Sequence, residues 1–142
     1  DSYRTSRAAG ENIIPSETNS GEIITQVLPE LEGKILVTAL NIPVPDGSTV
    51  DMVADVARET TVEEVNEAVR KAIEKIPEVI EYVAAPIVSS DVRMNSHSGV
   101  YDSLATMVTG GNLVKTIVWF NNGWGYSHRV VEVAERIAGG LK

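Results

Sequence analysis

Apolar residues between positions 61 and 76 recur every three or four residues, which is the spacing of one face of an α-helix. The members of this face are Val62, Val65, Val69, Ile73 and Ile76. Thr61 and Glu64 have the spacing of a capping box, in which each side chain accepts a hydrogen bond from the other residue's backbone. Pro77 lacks the N–H group that a helix interior needs. The pattern predicts a helix from Thr61 to Ile76.

Two shorter apolar stripes predict a first and a last helix. The first follows Asn19 and Ser20, either of which is suited to cap a helix, and it ends by Gly33. Its apolar face consists of Ile23, Ile24, Val27, Leu28 and Leu31. The last helix is predicted over residues 126–138, and a Gly-Gly pair lies beyond its end. Its inward face consists of Val130, Val131, Ala134, Ile137 and Ala138.

Five segments have the composition or the alternation of β-strands. Residues 49–57 alternate and are typical of a half-buried strand, with Val50, Met52, Ala54 and Val56 on one face. The others span 34–42, 82–85, 100–108 and 113–120. Because the strands come in neighbouring pairs around a helix, the order predicts an α+β fold. We expect a mixed, mostly antiparallel sheet with helices packed on one face, in a single domain over residues 1–142.

Charge and composition exclude several classes of partner. The 142 residues carry a formal net charge of −8 and their basic residues are scattered, so no basic stripe is available for nucleic acid or an anionic membrane. No apolar run approaches the ~20 residues of a membrane helix, and no segment of the sequence has the pattern of a signal peptide. The chain has no cysteine, which excludes disulfides, thiolate metal sites and a cysteine nucleophile within it. These features predict a cytoplasmic protein.

One polar segment contains the residue types of a catalytic triad. His97, Ser98 and Asp102 lie within six residues of one another. A triad base must bridge the nucleophile and the orienting acid in space, which so short a spacing rarely allows. Asp91, His97 and Asp102 have no recognised zinc or calcium ligand spacing. We therefore predict neither catalytic residues nor a metal site here.

Two turns that precede helices are better candidates for ligand binding. The SETNSG turn lies before the first helix, whose free N–H groups favour an anion, and Thr18 adds a hydroxyl donor. The NNGWGYS turn joins an apolar strand to the last helix, where Asn121 and Asn122 offer paired amide groups. Helix capping and turn chemistry are the simpler explanation of both turns. Residue types alone therefore leave a ligand-binding role open in each.

Four longer stretches share their order and spacing with one known family. They are RAAGENIIPSETNSGEIITQVLPELEGK, NIPVPDGSTVDMVADV, IVSSD with SGVYDSLATMV, and LVKTIVWFNNGWGYSHRVVEVAERIA. The second is similar to a strand–loop–strand with V-P-x-P, and the last to the signature K-x-x-x-W-Y-D-N-E-x-G-Y-S-x-R-V-V-D-L. From Arg7 to Ala138 the chain resembles the C-terminal catalytic-domain portion of phosphorylating glyceraldehyde-3-phosphate dehydrogenase.

The resemblance implies the activity and the partners of the complete protein. The family takes part in glycolysis and oxidises a phosphorylated aldehyde through a thiohemiacetal on cysteine. NAD accepts the hydride, and inorganic phosphate releases the acyl group. The family is a homotetramer with this domain's sheet at a major subunit interface. We therefore expect a homo-oligomer and, as a further partner, an N-terminal half that carries the NAD-binding domain and the catalytic cysteine and histidine.

Individual residues take their expected roles from the same resemblance. Thr18, with Asn19 beside it, matches a threonine of the inorganic-phosphate site, and Arg4 is a further candidate for phosphate binding. Asn122 matches the asparagine that holds the nicotinamide carboxamide, and Tyr126 matches the aromatic residue beside the nicotinamide ring. The first 20 residues match a remnant of the family's S-shaped loop, which packs near the NAD of a neighbouring subunit.

Three departures from the family bear on its chemistry. The catalytic cysteine and histidine have no counterpart in this chain, which is therefore expected to be inactive alone. Thr5 and Asn41 align with arginines that hold phosphates, although Arg4 is adjacent to the first of them. Asn19 stands where the family has glycine. These differences leave two alternatives, namely a paralogue with an altered aldehyde substrate, or a non-catalytic oligomerisation or binding module that retains the fold.

Overall fold

The computed structural model describes residues 3–140, which divide between Pro45 and Asp46 into two compact units. The three helices and the two sheets, the larger of them mixed and mostly antiparallel, confirm the predicted α+β class. The assignment of residues 1–142 to one partial catalytic domain stays a prediction. So does the S-shaped loop over residues 1–20, of which residues 1 and 2 lie outside the described part.

The first unit contains one small sheet and one short helix. Strands β1 and β2 pair antiparallel, with Ile14 opposite Asn41 and Ser16 opposite Ala39. Among the described residues of this unit, Ile14 is the one buried apolar side chain. The elements in chain order are β1 (Ile14–Ser16), α1 (Ser20–Val27), a 3-10 helix (Pro29–Leu31) and β2 (Ala39–Asn41).

The structure differs from the sequence expectations for the first unit in three respects. The strand predicted over residues 34–42 forms only at Ala39–Asn41, because its partner β1 has just three residues with which to exchange hydrogen bonds. Leu36, in the unpaired part, is 98% exposed. The apolar stripe of α1 is likewise largely uncovered, with Val27 74% exposed. Asn19 takes the N-cap position of α1, but its side chain makes no capping hydrogen bond.

The second unit is built on a four-stranded sheet in the order β3-β6-β5-β4. Strand β6 is antiparallel to both β3 and β5, whereas β4 and β5 are parallel. The elements are β3 (Ser48–Asp55), α2 (Val62–Ile73), β4 (Ile80–Val83), a 3-10 helix (Ser89–Val92), β5 (Gly99–Thr109), β6 (Leu113–Phe120) and α3 (Asn122–Gly140).

Helix α2 begins with the predicted capping box. The Glu64 backbone N–H donates to the Thr61 hydroxyl over 3.2 Å, and the Thr61 N–H donates to the Glu64 carboxylate over 3.2 Å. These two bonds satisfy donors that the first turn otherwise leaves unpaired. The helix ends at Ile73 rather than at the predicted Ile76. It packs against β4 and β5 and so covers part of one face of the sheet.

Strand β5 carries a large bulge at its centre. Asp102 lies opposite Ile117 and Met107 opposite Lys115, so residues 103–106 share the single residue Thr116 as their partner. The Asp102 carboxylate accepts hydrogen bonds from the backbone N–H groups of Leu104 and Ala105 over 3.1 and 3.2 Å. It therefore satisfies donors that the bulge removes from the β-ladder.

The bulge is tied to the strand and the helix on either side of it. The Trp119 indole N–H donates to the second oxygen of the Asp102 carboxylate over 3.0 Å. On α2, Asn66 donates to the Ser103 carbonyl over 3.0 Å and accepts from the hydroxyls of Tyr101 and Thr106 over 2.9 and 2.7 Å. Burial raises the pKa of Tyr101, which keeps its hydroxyl in the protonated form that donates to Asn66.

Two predicted apolar faces of the second unit are exposed. Val50 and Met52 of β3 are about half exposed. Strand β3 forms one edge of the sheet, whereas α2 packs on β4 and β5 toward the other edge. In α3, Val130 and Ile137 are also exposed, and the helix continues through the glycines predicted to lie beyond it. The predicted inward faces of β3 and α3 are therefore wrong for these 142 residues.

We predict that Asn66→Ala lowers the free energy of unfolding by about 2 kcal/mol, because it removes a partner of three polar groups at the bulge. Urea unfolding of the 142-residue chain, followed by tryptophan fluorescence, measures the change. Glu63→Ala, at an exposed position of the same helix, is the matched control and should cost about 0.5 kcal/mol or less. Equal losses for the two variants would contradict this account of the bulge.

Candidate functional site

Thr18 and Asn19 lie together immediately before α1 in the first unit. The Thr18 hydroxyl lies 2.7 Å from the Ser20 hydroxyl and accepts a hydrogen bond from the Ser20 N–H over 3.2 Å. Asn19 contributes its backbone carbonyl to the helix, since the Ile23 N–H donates to it over 3.1 Å. Both residues are exposed. The turn thus keeps a hydroxyl at the start of a short helix, as the sequence predicts.

The groove beside Thr18 has an acidic lining. It encloses about 320 Å³, and its lining includes Thr18, Thr25, Glu22, Glu32, Ile35 and Val37. Neither Arg4 nor any other basic residue of the described chain belongs to this lining. The groove therefore offers hydroxyl groups to a ligand but repels an anion.

The other candidate phosphate-site residues lie in different parts of the first unit. Arg4 and Thr5 are exposed in the turns before β1, where the Arg7 N–H donates to the Arg4 carbonyl over 3.3 Å. Asn41, at the end of β2, donates from its amide to the Ser16 hydroxyl over 2.8 Å. Asn41 therefore joins the two strands of the small sheet instead of presenting its amide to the groove.

Helix α3 starts four residues earlier than the sequence predicts, at Asn122. The Asn121 side-chain oxygen accepts a hydrogen bond from the Trp124 N–H over 2.9 Å, and the Asn121 carbonyl accepts from the Gly125 N–H over 3.1 Å. These are the bonds of an N-cap residue. The NNGWG sequence thus forms the first helical turn directly after β6 instead of a loop.

Asn122 and Tyr126 are exposed on one face of this first turn. They are four residues apart in a helix, which places their side chains next to each other along the axis. Tyr126 is 70% exposed, and Asn122 is also exposed. An amide beside an exposed aromatic ring suits a flat heteroaromatic group that carries its own amide.

Asp46 is a residue near this turn that the sequence patterns did not single out. Its carboxylate accepts hydrogen bonds from the Asn121 side-chain amide over 3.0 Å and from the Gly47 N–H over 2.8 Å. The Arg93 guanidinium lies 3.7 Å from the other carboxylate oxygen. In the sequence Asp46 is an ordinary aspartate of a PDG turn, and nothing local relates it to a residue 75 positions away.

Two further contacts hold α3 against the segments that precede β4 and β5. A methyl group placed at Gly125 would lie 2.5 Å from the His97 carbonyl oxygen, so only glycine allows this approach. The Arg129 guanidinium donates to the Glu78 carbonyl over 2.8 Å and forms an ion pair with Glu132. The start of α3 is therefore fixed by packing as well as by its cap.

The polar residues around His97 form structural contacts. The His97 ring nitrogen Nδ1 lies 2.8 Å from the Asn95 side-chain oxygen, and Asp102 is engaged by the bulge and Trp119. Asp91 accepts a hydrogen bond from the Val88 N–H over 2.8 Å. Among residues 3–140, no group of three His, Asp or Glu side chains is placed to hold a metal ion.

Helix α3, the longest in the described part of the chain, has 19 residues. It carries glutamates and arginines along its length. Within residues 3–140, no helix combines the length and the apolar character needed to cross a membrane.

Comparison with known proteins relates the chain to one enzyme family. The profile of the glyceraldehyde 3-phosphate dehydrogenase C-terminal domain matches residues 1–122. The chain is 46% identical over 137 residues to glyceraldehyde-3-phosphate dehydrogenase of Priestia megaterium, covering 96% of this chain and 41% of that protein. It is 46% identical over 134 residues to glyceraldehyde-3-phosphate dehydrogenase 2 of Staphylococcus aureus strain MRSA252, covering 94% and 39%.

A third relative has the same extent of similarity. Glyceraldehyde-3-phosphate dehydrogenase 1 of Bacillus subtilis is 45% identical over 137 residues, which cover 96% of this chain and 41% of that protein. The chain thus spans about two fifths of the length of the curated relatives it matches. It belongs to the glyceraldehyde-3-phosphate dehydrogenase family, to whose C-terminal domain it corresponds.

Proposed function

We propose that this chain supplies the C-terminal part of a cytoplasmic, NAD-dependent enzyme of the glyceraldehyde-3-phosphate dehydrogenase type, acting in glycolysis. The observation that carries the proposal is the start of α3, where Asn122 and Tyr126 share an exposed face. Family membership supports the same assignment. The chain contains no cysteine, so the thiol that attacks the aldehyde comes from polypeptide outside these 142 residues.

The first turn of α3 suits the nicotinamide end of NAD. The Asn122 amide both donates and accepts, and so complements the carboxamide of the cofactor. The Tyr126 ring, one turn further along, limits the positions open to the nicotinamide ring. When bound, NAD accepts the hydride of the aldehyde. In this proposal the residues of the chain orient the acceptor ring, while the adenine and ribose contacts belong to the N-terminal half.

We predict that Asn122→Ala in the complete gene product lowers kcat/KM for NAD about tenfold, because the cofactor carboxamide loses a hydrogen-bond partner. The assay is NAD reduction with glyceraldehyde 3-phosphate and inorganic phosphate. Asn112→Ala, an amide at the far end of β6, is the matched control and should leave the rate unchanged. The isolated 142-residue chain should neither bind nor reduce NAD. Failure of the unmodified complete protein to reduce NAD in this assay would contradict the proposal.

A second candidate function is the oxidation of an aldehyde that carries no phosphate. The acidic lining of the groove beside Thr18 favours it, and so does the engagement of Asn41 by Ser16. If Thr18, Asn19 and Arg4 form the phosphate site, they have to hold the anion beside the carboxylates of Glu22 and Glu32. Each unit charge about 4 Å away opposes an anion by roughly 1 kcal/mol even in water.

We predict for this second candidate that kcat/KM for unphosphorylated glyceraldehyde exceeds that for glyceraldehyde 3-phosphate. The two aldehydes are compared at equal concentrations of NAD and inorganic phosphate. Glu22→Gln and Glu32→Gln should then shift the preference toward the phosphorylated aldehyde, because each removes a negative charge from the groove. A strong preference of the unmodified protein for glyceraldehyde 3-phosphate would exclude the altered substrate and favour the first candidate.

We also propose that the complete protein is a homo-oligomer, with a homotetramer as the expected form. Apolar side chains on two strands support this, since Met52 of β3 and Leu104 and Met107 of β5 are all more than half exposed. Light scattering is expected to give a mass several times that of one chain. A monomer at micromolar concentration would contradict this and would leave a binding module the better description of the exposed sheet.

A further inference from the structure

The orientation of Asn122 depends on how firmly the first turn of α3 is held. Asn122 is the first residue of the helix, where the backbone N–H groups have no partner within the helix and the chain tends to fray. The direction of a side chain at such a position depends on how well the N-cap residue before it is ordered. The residue that decides this is Asn121.

Asn121 uses both ends of its side-chain amide. Its oxygen accepts from the Trp124 N–H over 2.9 Å, and its nitrogen donates to the Asp46 carboxylate over 3.0 Å. The helix N–H groups only donate and the carboxylate only accepts, so both are satisfied in a single orientation of the amide. Asp46 therefore forces the nitrogen of Asn121 toward itself and the oxygen toward the helix.

Asp46 is itself held on two sides. The Gly47 N–H donates to the carboxylate oxygen that Asn121 contacts, and the Arg93 guanidinium faces the other oxygen. Gly47 has a φ of +84°, and a methyl group placed there would lie 2.1 Å from the Ser89 carbonyl oxygen. This close approach fixes the backbone that carries Asp46 against the 3-10 helix Ser89–Val92.

We propose that Asp46 is a positioning residue for the nicotinamide site, acting through Asn121 on the direction in which Asn122 points. The inference rests on the proposed role of Asn122 in holding the cofactor. Asp46 touches neither substrate nor cofactor in this account. Its effect is to keep the cap of α3 in the single orientation that carries Asn122 to the nicotinamide.

The test exchanges the two partners in the complete gene product. Asn121→Asp sets two carboxylates against each other, although it retains an acceptor for the Trp124 N–H. We expect kcat/KM for NAD to fall about tenfold, since a hydrogen bond to a charged group is lost. Asp46→Asn leaves two amides facing each other and should cause a smaller loss. The double variant restores a carboxylate–amide pair with the roles exchanged, and it should recover to within about twofold of the unmodified protein.

A second readout separates positioning from stability. A deuterated aldehyde reports the face of the nicotinamide ring that receives the hydride, and a loosely held Asn122 should give a mixture of the two faces. Thermal unfolding of each variant is measured alongside. The control is Asp51→Asn on β3, which makes the same chemical change as Asp46→Asn at an exposed ion pair with Lys115. It should alter neither the face selectivity nor the unfolding temperature.

The outcomes distinguish this inference from the proposed function. If both single variants keep the unmodified rate and face selectivity, or if the double variant does not exceed Asp46→Asn, the positioning role is overturned and the proposed function stands. If the unmodified protein does not reduce NAD, both are overturned. Should Asn121→Asp fail to fold, the comparison of Asp46→Asn with the double variant decides.

Discussion

The bulge at the centre of β5 is the constraint on which the second unit depends. Four residues of β5 share one partner on β6, so their backbone groups need partners that the β-ladder does not supply. Asp102 provides acceptors from within the strand, and Asn66 reaches the bulge from α2. The same contacts bind the helix to the sheet and Trp119 to β5. Loss of this polar network would leave several buried groups unsatisfied at once.

A smaller network of the same kind determines the candidate site. Asp46 and Asn121 join the loop before β3 to the turn after β6, and Gly125 brings α3 against the loop before β5. The exposed face of Asn122 and Tyr126 therefore lies on a turn that two separate segments hold in place. This is the arrangement expected of a binding site whose side chains lie on a rigid element and are supported from behind.

The two units differ in how completely the described residues pair their strands and cover their apolar side chains. The second has a continuous sheet with a helix packed on it, whereas the first has a two-stranded sheet and an α1 stripe that is largely exposed. In the first unit, only Ala39–Asn41 of the strand predicted over residues 34–42 pair with β1. Because the chain corresponds to about two fifths of its relatives, polypeptide outside these residues would provide the missing neighbours in the proposed enzyme.

Local patterns were sufficient wherever the cause of a structure is local. The apolar, β-branched composition of residues 113–120 indicates a strand, and the Thr61–Glu64 spacing specifies a capping box, because both signals lie within a few residues. The family motifs likewise indicated the roles proposed for Thr18 and Asn122. Burial, strand length and the start of α3 depended instead on contacts between distant segments. Asp46 is the clearest case, because its contact with Asn121 joins residues 75 positions apart, and only the tertiary structure brings a turn aspartate to the cap of a helix.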